Sequence, residues 1–392
     1  MSRALAKLGE IAPAKPIRLE GFNLKDKLWQ ITLDHIESNT GQLIKKVKKP
    51  LSEAGSSTHA FDSRHVLYSK LRPYLNKVLL PNEIGLGTTE LIPMLPDASK
   101  LDRVYLAHYL KSYKFVSWIS SQTAGVKMPR VSMKVFWAHE IPLPPLKEQK
   151  RIAAILDKAD NLRRKRQQTI QLADEFLRAV FLDMFGDPVT NPKQWEVKTL
   201  KSISKRFSDG PFGSKLKSEH YVKCGVRVIR LQNIGVGKFK DKDKAYISKK
   251  YYEDALSKFS CSSGDIIIGT LGDPNVRACL IPKHIELAVN KADCVHFIPD
   301  ESVARREYLV SLLNLPQFLH FFSGLLHGQT RTRVSSGQLG KVEIPIPPID
   351  IQNKFIKINK QITKNLSKME SSIQSITNLF NSISQRSFSG EL

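Results

Sequence analysis

GVKMPRVSMKVFWAHEIPLPPLKEQ, residues 125–149, and GQTRTRVSSGQLGKVEIPIPPIDIQ, residues 328–352, align without a gap at a constant offset of 203. Identities include Gly125/Gly328, Arg130/Arg333, Val131/Val334, Glu140/Glu343, Ile141/Ile344, the three prolines of IPLPP and IPIPP, and Gln149/Gln352. The offset persists upstream, where Pro96-Asp97 meets Pro299-Asp300, Tyr105-Leu106 meets Tyr308-Leu309, and Phe115 meets Phe318. A register kept over so long a stretch is the mark of a duplicated structural unit. The starts of the two copies are less alike; Trp29-x-Ile31-x-Leu33 and Trp195-x-Val197 read as corresponding first strands.

Each copy runs into prolines that withhold backbone donors and hold the chain extended, and a helix follows. After Pro145, apolar or small residues recur at Ile152, Ile155, Ala159, Leu162, Thr169, Ala173, Phe176 and Val180, with Arg166 as a polar break, until Gly186 and Pro188. After Pro348 the rhythm returns in Phe355, Ile358, Ile362, Leu366, Met369, Ile373, Ile376, Phe380 and Ile383. Steps of three and four make a stripe narrow enough to be a seam between two helices. The other reading lays each helix separately on its own domain; equal lengths and equivalent places in the repeat favour mutual pairing.

Short apolar runs at 66–68, 226–229 and 265–269 read as strands, and the stretches 105–119 and 308–322 as short helices. The expected fold is α+β: two tandem repeated α+β domains, 1–141 and 187–344, separated by two long antiparallel coiled-coil helices, 142–186 and 345–392.

A net charge of +24 calls for a polyanionic partner, either nucleic acid or an anionic membrane surface. No run of about 18 apolar residues and no signal-type apolar core at the start argue for a soluble, cytoplasmic protein. Cys224, Cys261, Cys279 and Cys294 form no CxxC or CxxH pair, so they read as reduced thiols, not as metal ligands. Catalytic motifs are equally lacking. Gly235-Val236-Gly237-Lys238 is not a GxxxxGK[ST] phosphate cradle and reads as a turn, as do Asn191-Pro192-Lys193 and Asp273-Pro274-Asn275, neither of which supplies the Pro-Pro-aromatic loop of an amino-methyltransferase. The alternating charges of Asp241-Lys242-Asp243-Lys244 read as a solvated loop.

The stretch EIPLPPLKEQKRIAAILDKADNLRRKRQQTIQLADEFLRAVFLDMFGDP, from Glu140, closely resembles the central conserved region of type I restriction-modification specificity subunits, and EIPIPPIDIQNKFI with the terminal SFSGEL resembles their C-terminal one. LYSKLRPYLNKV and IRLQNIGVGK are similar to stretches of that family's target-recognition domains. The resemblance covers essentially the whole chain. It implies a non-catalytic chain that binds double-stranded DNA, in complex with two methyltransferase subunits and, for cleavage, with motor-nuclease restriction subunits. Methyl donor, ATP and magnesium would then belong to the partners, and this chain would hold no cofactor and no metal. The second helix departs from the first in its flanks, rich in Ser, Asn and Gln where the first carries Arg163-Arg164-Lys165-Arg166.

Two diverged copies imply two different half-sites, hence a bipartite, asymmetric DNA target. Candidate DNA-binding residues are Lys70 and Arg72 in SKLRPY, Lys127 and Arg130 in GVKMPR, Arg230, Gln232 and Asn233 in IRLQN, and Gln329, Arg331 and Arg333 in GQTRTR. Arg130 and Arg333, identical in both copies, fit a shared task such as phosphate contact or loop bracing better than the reading of a base. A general architectural nucleic-acid binder and a self-contained nuclease or methyltransferase remain the alternative functions.

Overall fold

The computed structural model describes residues 4–124, 128–322 and 333–389. The chain falls into two units, Met1–Thr169 with Met369–Leu392, and Ile170–Lys368. Both mix short helices with small sheets, and each contains one end of each of two long helices, Leu146–Phe185 and Ile349–Ser389.

In the first unit, strand Leu5–Lys7 runs antiparallel to Glu140–Pro142, the strand that enters the proline punctuation. In the second, Glu196–Thr199 pairs in the same way with Glu343–Ile346, so that Lys198 faces Ile344 as Ala6 faces Ile141. These are the corresponding first strands, and the expected match between the Trp29 and Trp195 segments is wrong. Trp29 lies in Lys27–Ile31, parallel to Gly85–Thr88; its counterpart is Val226–Ile229, parallel to Ala288–Asn290. Trp195 caps the first long helix instead, its indole Nε1 donating to the Phe185 carbonyl at 2.9 Å.

The first unit orders its larger sheet as Val47–Pro50, Lys27–Ile31, Gly85–Thr88, Thr58–Phe61, beside a smaller sheet of Val78–Leu79, Val66–Ser69 and Leu91–Met94. The second pairs Val226–Ile229 with Ala245–Ile247 and Ala288–Asn290 in one sheet, and Cys294–Pro299 with Ile266–Gly269 in another. Val66–Ser69 and Ile266–Gly269 are buried at every position, which explains their unbroken apolar runs. The expected short helices form at Arg103–Lys111 and Tyr113–Ser121, and at Arg306–Leu313 followed by a 3₁₀ turn, Pro316–Phe322.

The duplication holds at the level of single hydrogen bonds. Gln149 is fully buried at the start of the first long helix; its Oε1 accepts from Asp102 N (2.8 Å), and its Nε2 donates to the carbonyls of Lys100 (2.8 Å) and Pro144 (2.7 Å). Gln352 repeats this with Arg305 N (2.8 Å) and the carbonyls of Val303 (3.2 Å) and Pro347 (2.7 Å). Tyr105 and Tyr308 donate their hydroxyls to the carbonyls of Pro142 (2.9 Å) and Pro345 (2.7 Å). Asp97 and Asp300 each accept from the backbone N–H of the serine two residues on, at 3.0 Å.

Both readings of the long helices are realised together. Within the first unit the Arg163 guanidinium lies 5.6 Å from the Phe380 ring, and within the second Phe181 and Phe185 each sit 5.3 Å from Phe355, an antiparallel pairing. The same ends also pack on their own domains: Ile152, Leu156 and Phe388 join the first core, and Phe181, Phe185 and Phe355 the second. The double duty rotates the first helix from the expected stripe. Leu162 and Phe176 are 47% and 56% exposed, whereas Leu156 and Asp160 turn inward, the carboxylate held by Arg163 at 2.6 Å and by Arg164. On the second helix Ile358, 39% exposed, is the expected seam residue that faces out.

Replacing Gln149 by leucine strands the Asp102 N–H and two carbonyls in the interior. The expected cost is about 1–3 kcal/mol, read as faster hydrogen exchange in 102–111 with residues of the second unit unchanged. Gln352→Leu should give the mirror result at 305–313.

Candidate nucleic-acid interface

Loop 70–72 of the first unit is tied down by backbone on both sides. Lys70 N donates to the Glu90 carbonyl (3.0 Å), Val131 N to the Lys70 carbonyl (3.0 Å) and Arg72 N to the Pro129 carbonyl (2.8 Å). Arg72 holds a left-handed φ of 49° at the turn and is exposed, and Lys70 is half-buried. Arg130 Nη2 reaches Glu90 Oε1 at 3.0 Å. Lys70, Arg72 and Arg130 are thus brought together, while Lys127 lies outside the described residues.

The second unit repeats the knot. Thr270 N donates to the Asp293 carbonyl (3.0 Å) and Val334 N to the Thr270 carbonyl (3.1 Å), and Arg333 Nη2 lies 2.7 Å from Asp293 Oδ1. Arg130 with Glu90 and Arg333 with Asp293 are therefore the same ion pair in the two copies, and both bridge the chain across the knot (Leu71 opposite Arg130, Leu271 opposite Arg333). Gln329 and Arg331 lie outside the described residues.

The three candidates of IRLQN separate in character. Gln232 is exposed, its amide without a hydrogen bond among the described residues. Asn233 is wholly buried: its Oδ1 accepts from Arg230 N (2.9 Å), and its Nδ2 donates to the carbonyls of Lys240 (3.0 Å) and Asp243 (2.8 Å). With every polar edge of the amide used inside its own loop, Asn233 braces that loop and has nothing to offer a base. Arg230 Nε donates to Asp243 Oδ2 at 2.8 Å, and its guanidinium stands 5.6 Å from the Tyr221 ring.

Asp241 and Asp243 are not the solvated charges expected of them. Arg227, buried in its strand, pairs with Asp241 at 2.7 Å, and Arg230 pairs with Asp243. Gly235 to Lys238 do form the expected turn, with Gly235 N donating to the Lys238 carbonyl at 2.9 Å between bridged Ile234 and Phe239. Of the cysteines, Cys224 is exposed and the other three are buried thiols.

Sequence reading missed the residue that joins the loops. Arg277 donates through Nε to the Ile234 carbonyl (2.8 Å), through Nη1 to those of Leu271 (3.0 Å) and Pro274 (3.1 Å), and through Nη2 to that of Leu231 (3.1 Å). Burial pulls its pKa below the ordinary arginine value. One guanidinium thus fixes loop 231–234 against loop 271–274. A lone arginine in NVRACL carries no motif that could have signalled this. Arg277→Ala should cost about 2–4 kcal/mol and loosen both loops together in hydrogen exchange. Arg277→Lys should fail to restore them, since a single ammonium cannot span four carbonyls.

Residues 86–172 and 192–383 match the family described as "Type I restriction modification DNA specificity domain". The type I restriction enzyme MjaVIII specificity subunit of Methanocaldococcus jannaschii is 26% identical over 297 residues, 71% of this chain and 67% of that one. The EcoDI specificity subunit of Escherichia coli is 26% identical over 203 residues, 50% of this chain and 44% of the relative. Among solved structures, the type I restriction-modification S subunit from M. genitalium aligns over 99% of this chain and 96% of its own, with a TM-score of 0.54 at 15% identity, a likeness of fold. Among the described residues, no helix is long and apolar enough to cross a membrane, and no group of three His, Cys, Asp or Glu could hold a metal ion.

Proposed function

The chain belongs to the type I restriction-modification specificity-subunit family, and on that footing we propose that each of its two units reads one half of a bipartite, asymmetric site on double-stranded DNA, in a cytoplasmic complex. The observation that carries this is the duplicated knot with diverged surroundings: the knot presents Lys70 and Arg72 in the first unit, whereas in the second its loop 271–274 is tied by Arg277 to loop 231–234, which presents Gln232. An exposed, unbonded amide such as that of Gln232 suits adenine, whereas Lys70 and Arg72 suit phosphate or guanine. Gln329, Arg331 and Lys127 are proposed as contacts from the sequence alone. The recognition domains proper are 1–141 and 187–344, and the chain itself performs no chemistry. Methyl transfer, ATP use and magnesium binding fall to the methyltransferase and motor-nuclease partners.

Exchange of residues 1–141 for the first domain of another family member tests the reading. Methylation mapping should show one half-site changed and the other kept; alteration of both halves would refute independent recognition.

Leu172 and Phe176, one helical turn apart on the first long helix, stand 55% and 56% exposed. Two large apolar side chains on one face favour cover by a partner, and we assign them to the methyltransferase subunit. Phe176→Asp should weaken co-purification with that subunit by at least about tenfold, a typical effect for a buried aromatic anchor. Undiminished assembly would place the partner elsewhere.

A further inference from the structure

Phe212 is an aromatic side chain exposed to 50% in the second unit, just beyond the strand Ser204–Ser208. Its loop is not free to fold the ring away. Gly210 packs so closely that a Cβ there would stand 2.3 Å from the Asn290 carbonyl oxygen and 2.5 Å from that of Lys291. Pro211 is buried, Asp209 accepts a hydrogen bond from the Ser336 hydroxyl, and Gly213 turns the chain at φ 63°. Over the ring, the Arg333 guanidinium lies 5.7 Å from its centroid and is itself held by Asp293.

The surroundings point to one kind of occupant. Lys291, whose backbone supports Gly210, places its Nζ 5.8 Å from the Tyr221 ring, and Arg230 lies 5.6 Å from the same ring. Gln232 follows Arg230 on the next turn. A rigidly presented apolar ring, with exposed Lys215 three residues on and Lys291 in the segment that supports Gly210, fits a stacked base with its phosphates: the ring meets a π-face or a base step, and the lysines meet the backbone. An apolar protein partner would gain the ring but would have to bury the cations beside it.

We propose that Phe212 is a wedge that enters the DNA at the half-site of the second unit and partly unstacks one base step, with Arg333 and Asp293 as its rigid backing. This rests on the reading that the second unit contacts DNA. A phenyl ring offers no hydrogen bond, so it senses the ease of unstacking, and the step it enters should favour the flexible pyrimidine–purine class. Arg333 is then a positioning residue: the ion pair with Asp293, shared with Arg130 and Glu90 in the other copy, fixes the guanidinium that holds the ring in the second unit.

The test uses the full chain assembled with its methyltransferase partner and a duplex carrying the site found by methylation mapping, with 2-aminopurine replacing adenines of the second half-site in turn. Fluorescence should rise at one step when the wild-type complex binds, and Phe212→Ala should abolish the rise and weaken specific binding by about 10- to 100-fold. Phe212→Trp, which keeps an aromatic wedge, should assemble and retain both. Wild-type affinity with an intact rise in Phe212→Ala, or specific wild-type binding without a rise at any position, overturns the wedge alone. A wild-type complex that binds the mapped site no better than a scrambled duplex overturns the underlying reading as well.

Discussion

A buried primary amide at the head of each long helix is the constraint on which the rest of the fold hangs. The prolines that precede these helices donate no hydrogen bonds, and a helix start leaves backbone groups without intrahelical partners. Gln149 meets both difficulties at once. It accepts from the N–H of Asp102, the residue that caps helix Arg103–Lys111, and it satisfies the carbonyls of Lys100 and Pro144. Two helix starts are therefore locked together by one side chain, and the long helix leaves its domain at an angle that the domain dictates. Gln352 does the same for the second copy through Arg305 and Pro347. A glutamate would bring a charge and lose the donor, and a shorter asparagine would not reach all three groups, which explains why the residue type is the same at both positions.

With the scaffold fixed at equivalent atoms, divergence is confined to what the scaffold presents. The ion pairs Arg130 with Glu90 and Arg333 with Asp293 are repeated, as are the tyrosine and aspartate hydrogen bonds. The residues beside them are not. Arg72 occupies a left-handed turn in the first unit, whereas the second places Phe212 next to its arginine and spans its loops with Arg277. A recognition protein built by duplication has this requirement: the frame must survive change at the reading surface, so the groups that hold the frame cannot be the groups that read.

Much of this was visible in the sequence because repetition is a global signal. The offset of 203 located the punctuation, both long helices and the paired tyrosines, and the unbroken apolar runs located the central strands. What escaped was decided by contacts between distant segments. The strand Leu5–Lys7 is three residues long with an alternation too short to register, and it exists because Glu140–Pro142 offers it a partner. The inward face of the first long helix is displaced because the helix packs on the domain cores at its ends as well as on the second helix, a double contact that no hydrophobic period records. Asn233 looked like a reader of bases because side-chain chemistry is legible and burial is not.

The same distinction divides the charge. Several arginines of the second unit are committed inside it: Arg227 to Asp241, Arg230 to Asp243, Arg277 to four carbonyls, Arg306 to Asp265 and Glu301. The surface excess is carried largely by lysines, among them Lys205, Lys215, Lys217, Lys223, Lys242 and Lys244, all exposed. An ammonium on a flexible stem binds phosphate as a point charge without geometric preference, whereas a guanidinium held in place acts through direction. The net charge of +24 therefore speaks for attraction to a polyanion of any sequence, through a field that salt screens. Discrimination has to arise elsewhere, from the few side chains that arginine-braced loops hold rigid and exposed, because an unbraced side chain would lose on ordering what it gained on contact.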